Sequence, residues 1–177
     1  MVLGYPSKKT VETIEMSNKT LLTKLTRNAV ISALYFLLNI LLEPISYGPI
    51  QLRVAEALTL LPLIFPECYI GLAIGCALSN IISVFGIFDI IFGSLITLVA
   101  GYITSKIRNI WLAPLPPVLL NAIFLPLVWI LSGSQDMYIL QVLYLTISQS
   151  VVLYILGVPM LKYLNKALPT TNRQLLR

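Results

Sequence analysis

VAEALTLLPLIFPECYIGLAIGCALSNIISVFGI, residues Val54 to Ile87, is the stretch whose reading decides the architecture. As a single α-helix it would be about 51 Å long at a rise of 1.5 Å per residue, well beyond the roughly 30 Å of hydrocarbon in a bilayer. Pro62, Pro66 and Glu67 lie near its middle. Proline removes a backbone donor and clashes with the preceding turn, so the stretch reads as two helices, Val54–Pro66 and Glu67–Phe85.

Outward from there, charge cuts the chain into long neutral tracts. No Asp, Glu, Lys or Arg falls between Arg27 and Glu43, Glu67 and Asp89, Asp89 and Lys106, Arg108 and Asp136, or Asp136 and Lys162. The remaining spans read as Asn28–Ile45, Phe88–Ser105, Pro116–Ser132 and Ile139–Leu164. With 58% hydrophobic and 11% charged residues, the chain has too few polar side chains to cover a water-facing globule. The expectation is an all-α integral membrane bundle of six transmembrane helices, multi-pass in the cell membrane, with the bilayer as solvent.

Lys and Arg collect in short cytoplasmic loops, which tests the count independently. With six spans and the N-terminus inside, Lys106, Arg108, Lys162, Lys166, Arg173 and Arg177 join Lys8, Lys9, Lys19, Lys24 and Arg27 on the cytoplasmic side, and Arg53 alone lies outside. Five spans would turn the first six of these outward and erase the asymmetry. Both termini are therefore expected in the cytoplasm. Residues 1–27 read as a polar cytoplasmic extension without the apolar core and cleavage site of a signal peptide, residues 28–164 as the membrane domain, and residues 165–177 as a basic tail.

The same asymmetry accounts for the net charge of +5 without nucleic acid, for which no recognition motif is present. Histidine is absent, which removes the commonest general base and metal ligand, and seven scattered carboxylates form no catalytic motif. Cys68 and Cys76 fit no zinc spacing and read as small buried hydrophobes. Neither catalytic residues, nor a metal, nor a cofactor is expected.

What remains are polar residues in tracts the membrane would normally keep apolar, where each is costly unless paired or hydrated. Arg53 and Glu56, three apart, share a face of any helix that begins near them, as a local ion pair or as ligand contacts. Asp89, Asn121, Trp129, Gln135, Asp136, Gln141, Tyr144 and Gln149 map to the same external side. Singly, each has a plain role: Asp89 as a helix cap, Trp129, Tyr138 and Tyr144 as interfacial aromatics, Asn121 and Gln149 as interhelical hydrogen bonds. Together, a carboxylate, a guanidinium, amides and aromatic faces at one end of a bundle suit a flat polar heterocycle. At the other end, Ala29 and Ala33 stand one turn apart, a spacing that lets another helix approach closely; Gly71 and Gly75 offer a similar surface, read as packing within the chain.

Three ordered blocks carry a resemblance: PISYGPIQLRVAEALTLLP from Pro44 to Pro62, FDIIFGSL from Phe88 to Leu95, and LAPLPPVLLN from Leu112 to Asn121. From about Asn28 to Lys162 the chain resembles the QueT family, substrate-binding S components of energy-coupling factor (ECF) transporters associated with queuosine precursors. The resemblance implies a six-helix protein that captures a micronutrient at the outer face. Its partner would be a module of a transmembrane T component and two cytoplasmic ATPases, with Ala29 and Ala33 matching the motif that docks on the T component. For a 7-deazaguanine ligand, Glu56 or Asp89 would accept the ring's N–H and amino edge, Arg53 or Asn121 would donate to its carbonyl, and Tyr47, Phe85 or Trp129 would stack. The chain departs from the family pattern at Ala55, where serine is expected, and at Gln149, where glutamate is expected. The competing readings are an S component for another vitamin or purine-like compound, a non-transporting membrane scaffold, and an integral-membrane enzyme.

Overall fold

The computed structural model describes residues 8–46, 51–83 and 85–168, with side chains from Met16 onward. Every regular element among them is helical. In chain order these are α1 (Lys8–Leu41), the short α2 (Glu43–Ser46), a 3-10 helix (Val54–Leu63), α3 (Tyr69–Ser79), α4 (Ser94–Thr104), α5 (Leu115–Leu131), α6 (Tyr138–Val151) and α7 (Val158–Ala167). A 3-10 turn, Pro66–Cys68, leads into α3. A π-helical turn, Asp89–Gly93, leads into α4, and a second, Val152–Gly157, joins α6 to α7.

The break expected after Pro62 is present, but the preceding segment is not the α-helix that the sequence suggested. Val54–Leu63 is a 3-10 helix in which every residue from Ala55 to Leu63 is buried. At about 2 Å per residue its ten residues reach roughly 20 Å, a third more than an α-helix of that length. The narrow cylinder is the central element, in contact with α1, α3, α4 and the α6–α7 helix. Small residues let the neighbours in: a Cβ on Gly157 would lie 2.8 Å from Leu60 Cδ1, and one on Gly101 would lie 3.6 Å from Pro62 Cγ.

Helix α1 packs on α3 more closely than any side chain beyond hydrogen would allow. A Cβ on Gly71 would fall 2.5 Å from the Asn28 carbonyl oxygen, and one on Gly75 would fall 2.8 Å from that of Ser32. Asn28 Oδ1 also accepts a bond of 2.6 Å from the Gly71 amide. The glycine pair is thus internal packing, as its spacing suggested. The boundary drawn after residue 27 falls inside α1, which runs unbroken from Lys8.

One end of the bundle is closed by an apolar floor of Leu60, Leu63, Ile64, Ile110, Ala113, Val118, Leu153, Val158 and Leu161. Cations gather at this end. The Arg27 guanidinium lies 4.0 Å from the centre of the Phe65 ring and pairs with Glu67, and Lys162 Nζ lies 4.3 Å from the centre of the Trp111 ring. The outer surface is conspicuously apolar, with Ile91, Phe92, Leu95, Leu119, Ile123, Leu127, Leu143, Ile147 and Ile155 exposed, while Arg53, Glu56, Asp89, Asn121 and Gln149 are buried. A protein with its polar groups inside and its apolar groups outside is solvated by lipid. Met16–Leu41 and Tyr138–Ala167 are long and apolar enough to cross a membrane; Val54–Leu63, Pro66–Ile82, Asp89–Thr104 and Leu115–Leu131 are shorter apolar helices.

Candidate functional site

The site is built upward from that floor. Leu60 of the 3-10 helix, Val118 of α5 and Leu153 after α6 meet in it. Moving three or four residues along each element, away from the floor, reaches Glu56, Asn121 and Gln149, all buried. One turn above the apolar layer therefore lies a polar ring. Glu56 Oε1 accepts a bond of 2.6 Å from the Tyr35 hydroxyl, and Asn121 Nδ2 approaches Oε2 at a long 3.5 Å. The Arg53 guanidinium is close enough to interact electrostatically with the Glu56 carboxylate. Gln149 Oε1 is buried and has no hydrogen-bond partner among the described residues. A buried carbonyl left open in this way is uncommon and marks a place where an external donor would be accommodated.

A second polar tier lies higher. Asn121 and Trp129 share the buried face of α5 and stand eight residues apart, about 12 Å at 1.5 Å per residue. Trp129 Nε1 donates to Asp89 Oδ1 at 2.8 Å, and the Ser83 hydroxyl donates to Oδ2. The Trp129 ring is stacked on Phe85, with centroids 5.4 Å apart and planes 16° from parallel. Asn80 Nδ2 donates to the Asp89 carbonyl at 2.8 Å and leaves its own Oδ1 open. The backbone leading into the site is strained at Gln51, whose φ of 46° lies in the left-handed region that non-glycine residues rarely occupy.

Arg53, Glu56, Asn121 and Gln149 are thus gathered around the ring, and Phe85, Asp89 and Trp129 form the upper tier. Tyr47 lies outside the described residues. Two plain readings are corrected. Trp129 is 3% exposed and bonded to a carboxylate, so it is no interfacial belt residue. The Asp89 carboxylate caps no helix, because its oxygens are taken by Ser83 and Trp129. Arg53 and Glu56 do share one region, both below 4% exposure. Cys68 and Cys76 are buried free thiols. On α1, Ala29 and Ala33 face outward, away from α3.

Sequence reasoning missed Tyr35, Asn39, Asn80 and Ser83. For α1 a signal existed: Asn28, Ser32, Tyr35 and Asn39 recur at spacings of four, three and four, one polar stripe on the otherwise apolar stretch of α1 from Asn28 to Leu41. It matches Gly71, Gly75 and Ser79 across the interface, where Asn39 Nδ2 lies 3.5 Å from the Ser79 hydroxyl.

Residues 25–166 match the QueT transporter family along nearly the whole described chain. The chain belongs to the QueT transporter family. Among curated proteins, Queuosine precursor transporter QueT of Lactococcus lactis subsp. cremoris (strain MG1363) is 44% identical over 73 residues. That stretch is 40% of this chain and 43% of the relative, so the alignment spans less than half of either. No solved structure matches.

Proposed function

We propose that this QueT-family chain is the substrate-binding S component of an ECF-type importer and captures a queuosine precursor of the 7-deazaguanine type at the outer face of the cell membrane. The observation that carries the reading is a two-tiered polar cup over an apolar floor. In this reading the chain crosses the membrane six times with both termini inside. The gathering of Arg27, Lys106 and Lys162 at the floor end, with Arg53 at the other, supports that orientation. Residues 1–27, 28–164 and 165–177 are then a cytoplasmic extension, the membrane domain and a basic tail. The partner is an ECF module of a transmembrane T component and two ATPases, which meets the outward Ala29 and Ala33. The chain itself catalyses nothing.

Within the cup, Glu56 accepts the N–H and amino edge of the ring, a reading supported by the long 3.5 Å contact that Asn121 makes to its Oε2. Asn121 and Arg53 serve the ring carbonyl, Gln149 takes a further donor, and Trp129 and Phe85 wall the upper tier, with Tyr47 a further stacking candidate beside the first loop. Asp89 is bonded to Trp129, which stands about 12 Å above Asn121 along α5, two helical turns away. That separation is of the size of a bicyclic ring with a one-carbon arm and a hydrogen bond at each end, so Asp89 is the partner for an aminomethyl cation on the arm. A second reading, an S component for a neutral purine-like micronutrient, draws support from Gln149, an amide where the family resemblance calls for a carboxylate.

Calorimetry on the purified chain tests the proposal, with aminomethyl- and cyano-deazaguanine as ligands and guanine and Glu56→Gln as comparisons. Saturable binding abolished by the variant is the expected result. No binding of any deazaguanine by folded protein would sink the substrate assignment.

A further inference from the structure

Thr20, Thr23, Lys24 and Arg27 follow one another on α1 at spacings of three, one and three, which confines them to an arc of about 100° at 100° per residue. That arc faces the turn after the 3-10 helix. Together with Ile64, Phe65 and Glu67 the four residues line a groove of about 320 Å³ at the floor end of the bundle, near the lower end of the roughly 300–1,000 Å³ of small-molecule sites. Its back wall is fixed, because Arg27 pairs with Glu67 and lies 4.0 Å from the centre of the Phe65 ring. Glu67 is the only carboxylate among the lining residues and Arg27 already neutralises it. Lys24, one turn farther out, therefore brings a charge that nothing else in the groove balances. The Thr20 and Thr23 hydroxyls donate to the Met16 and Lys19 carbonyls at 2.9 Å, which commits their protons and leaves their oxygens as acceptors. On the membrane side, Val30 and Leu34 stand seven and eleven residues after Thr23, on its edge of the helix, and both are exposed.

We propose that this groove binds the headgroup of an anionic phospholipid that carries free hydroxyls, phosphatidylglycerol or a lipid of the same chemistry. Lys24 takes the charge of the phosphodiester, Thr20 and Thr23 accept from the headgroup hydroxyls, and the acyl chains run along Val30 and Leu34. Level selects a lipid over a free phosphate ester. Arg27 opens the neutral tract that runs to Glu43, so it marks the edge of the hydrocarbon. Lys24 lies three residues, about 4.5 Å, beyond it, within the layer of roughly 5–8 Å that headgroups occupy on each side of the core. Thr23 and Thr20 lie farther out still, as the terminal hydroxyls of such a headgroup do relative to its phosphate. Basic pockets beside membrane helices at this level bind anionic headgroups, whereas a zwitterionic headgroup would bring its own cation toward Lys24. The proposal needs only that the floor end lies at a membrane surface. With the orientation proposed above, that surface is the inner leaflet.

The test reconstitutes the full chain in phosphatidylcholine vesicles with a fluorophore on Val30→Cys; Cys68 and Cys76 are buried and stay unlabelled. Quenching by brominated phosphatidylglycerol is compared with quenching by brominated phosphatidylcholine at the same low mole fraction. Phosphatidylglycerol should be preferred about fivefold, the worth of one lysine contact at a membrane surface. Lys24→Gln should abolish the preference and Lys24→Arg should keep it. Lys19→Gln makes the same charge change about 140° round α1 and should leave the preference intact. Equal losses in Lys24→Gln and Lys19→Gln would mean a diffuse surface charge and overturn the site, as would a chain with no preference at all. Thr20→Val with Thr23→Val should lose only the advantage of phosphatidylglycerol over phosphatidylmethanol, an anionic lipid without hydroxyls. Equal quenching by those two lipids in the chain with both threonines intact would overturn the hydroxylated headgroup. Excess water-soluble glycerol phosphate should not relieve the quenching; relief would make a free phosphate ester the occupant and overturn the lipid. The four substituted side chains are exposed, so each variant should keep its Tm in lipid-free detergent, which shows that it is folded.

Discussion

Replacing Trp129 by Phe removes the indole N–H and, with it, part of a buried bicyclic ring, so a cavity term adds to the lost hydrogen bond. The phenyl ring still stacks on Phe85, but the indole N–H that Asp89 Oδ1 accepts at 2.8 Å is gone. Asp89 is 1% exposed, so water does not readily take the vacated position, and its charge is left with the Ser83 hydroxyl as its side-chain donor among the described residues. A hydrogen bond to a buried charged group contributes about 2 kcal/mol net, and for a domain of this size each kcal/mol moves the midpoint by about 3 °C. Thermal unfolding of ligand-free protein in detergent should therefore show Tm lower by at least about 6 °C in Trp129→Phe, with the cavity adding to it. The exposed Trp111→Phe control should stay within about 0.5 kcal/mol of wild type. Adding Asp89→Asn closes a double-mutant cycle, which should return a coupling of the same order, since the two residues share the interaction. An unchanged Tm in Trp129→Phe, or strictly additive single variants, would refute the view that the upper tier is held by this bond.

Gly71→Ala puts a methyl group 2.5 Å from a backbone oxygen of Asn28, which cannot swing aside as a side chain could, so α1 must shift; a loss of about 1–3 kcal/mol is expected in the same unfolding assay, and none would contradict the α1–α3 packing. Tyr35→Phe deletes the short donor to Glu56 and should weaken deazaguanine binding about tenfold in calorimetry, because the carboxylate is no longer held in place; unaltered affinity would remove Glu56 from the binding edge. Gln149→Glu puts a charged acceptor level with Glu56, far from the arm assigned to Asp89, so it should strengthen the aminomethyl and cyano ligands alike by about tenfold with their ratio held, read by competition. Unaltered affinities would place Gln149 away from the ligand.

How much of this was legible beforehand differs from element to element. The prolines announced the break after Val54–Leu63 because their effect is local and steric. The 3-10 geometry was not announced, since it is set by crowding from α1, α3, α4 and the α6–α7 helix against a segment buried on every side. Arg53 and Glu56 were placed together by a spacing of three. The Asp89–Trp129 bond joins residues forty apart and left no periodic trace, so each was open to a role at a helix end or membrane surface. The stripe of Asn28, Ser32, Tyr35 and Asn39 is fully present in the sequence, but it is offset by one residue, about 100°, from Ala29 and Ala33, and the alanine spacing points to the neighbouring, outward face of the helix.

That offset gives α1 two tasks on two faces. Its inner face supplies the hydroxyl that positions Glu56, and its outer face presents the small residues proposed to meet a partner. Under the proposed function, the floor gives the partner its task. Below Glu56, Asn121 and Gln149 the packed layer of Leu60, Leu63, Val118, Leu153 and Leu161 offers a polar solute no hydrogen-bonding side chain. Moving a bound polar group into such a layer costs several kcal/mol for each bond left unmade, and a flat heterocycle makes several. On the proposed reading, a bundle of this design holds its solute and does not conduct it. Release on the far side then requires the cup itself to be moved or reopened, and the floor end, where α1 projects past the bundle and Arg27 grips the turn after the 3-10 helix, is where a force from outside the chain would reach Glu56 most directly.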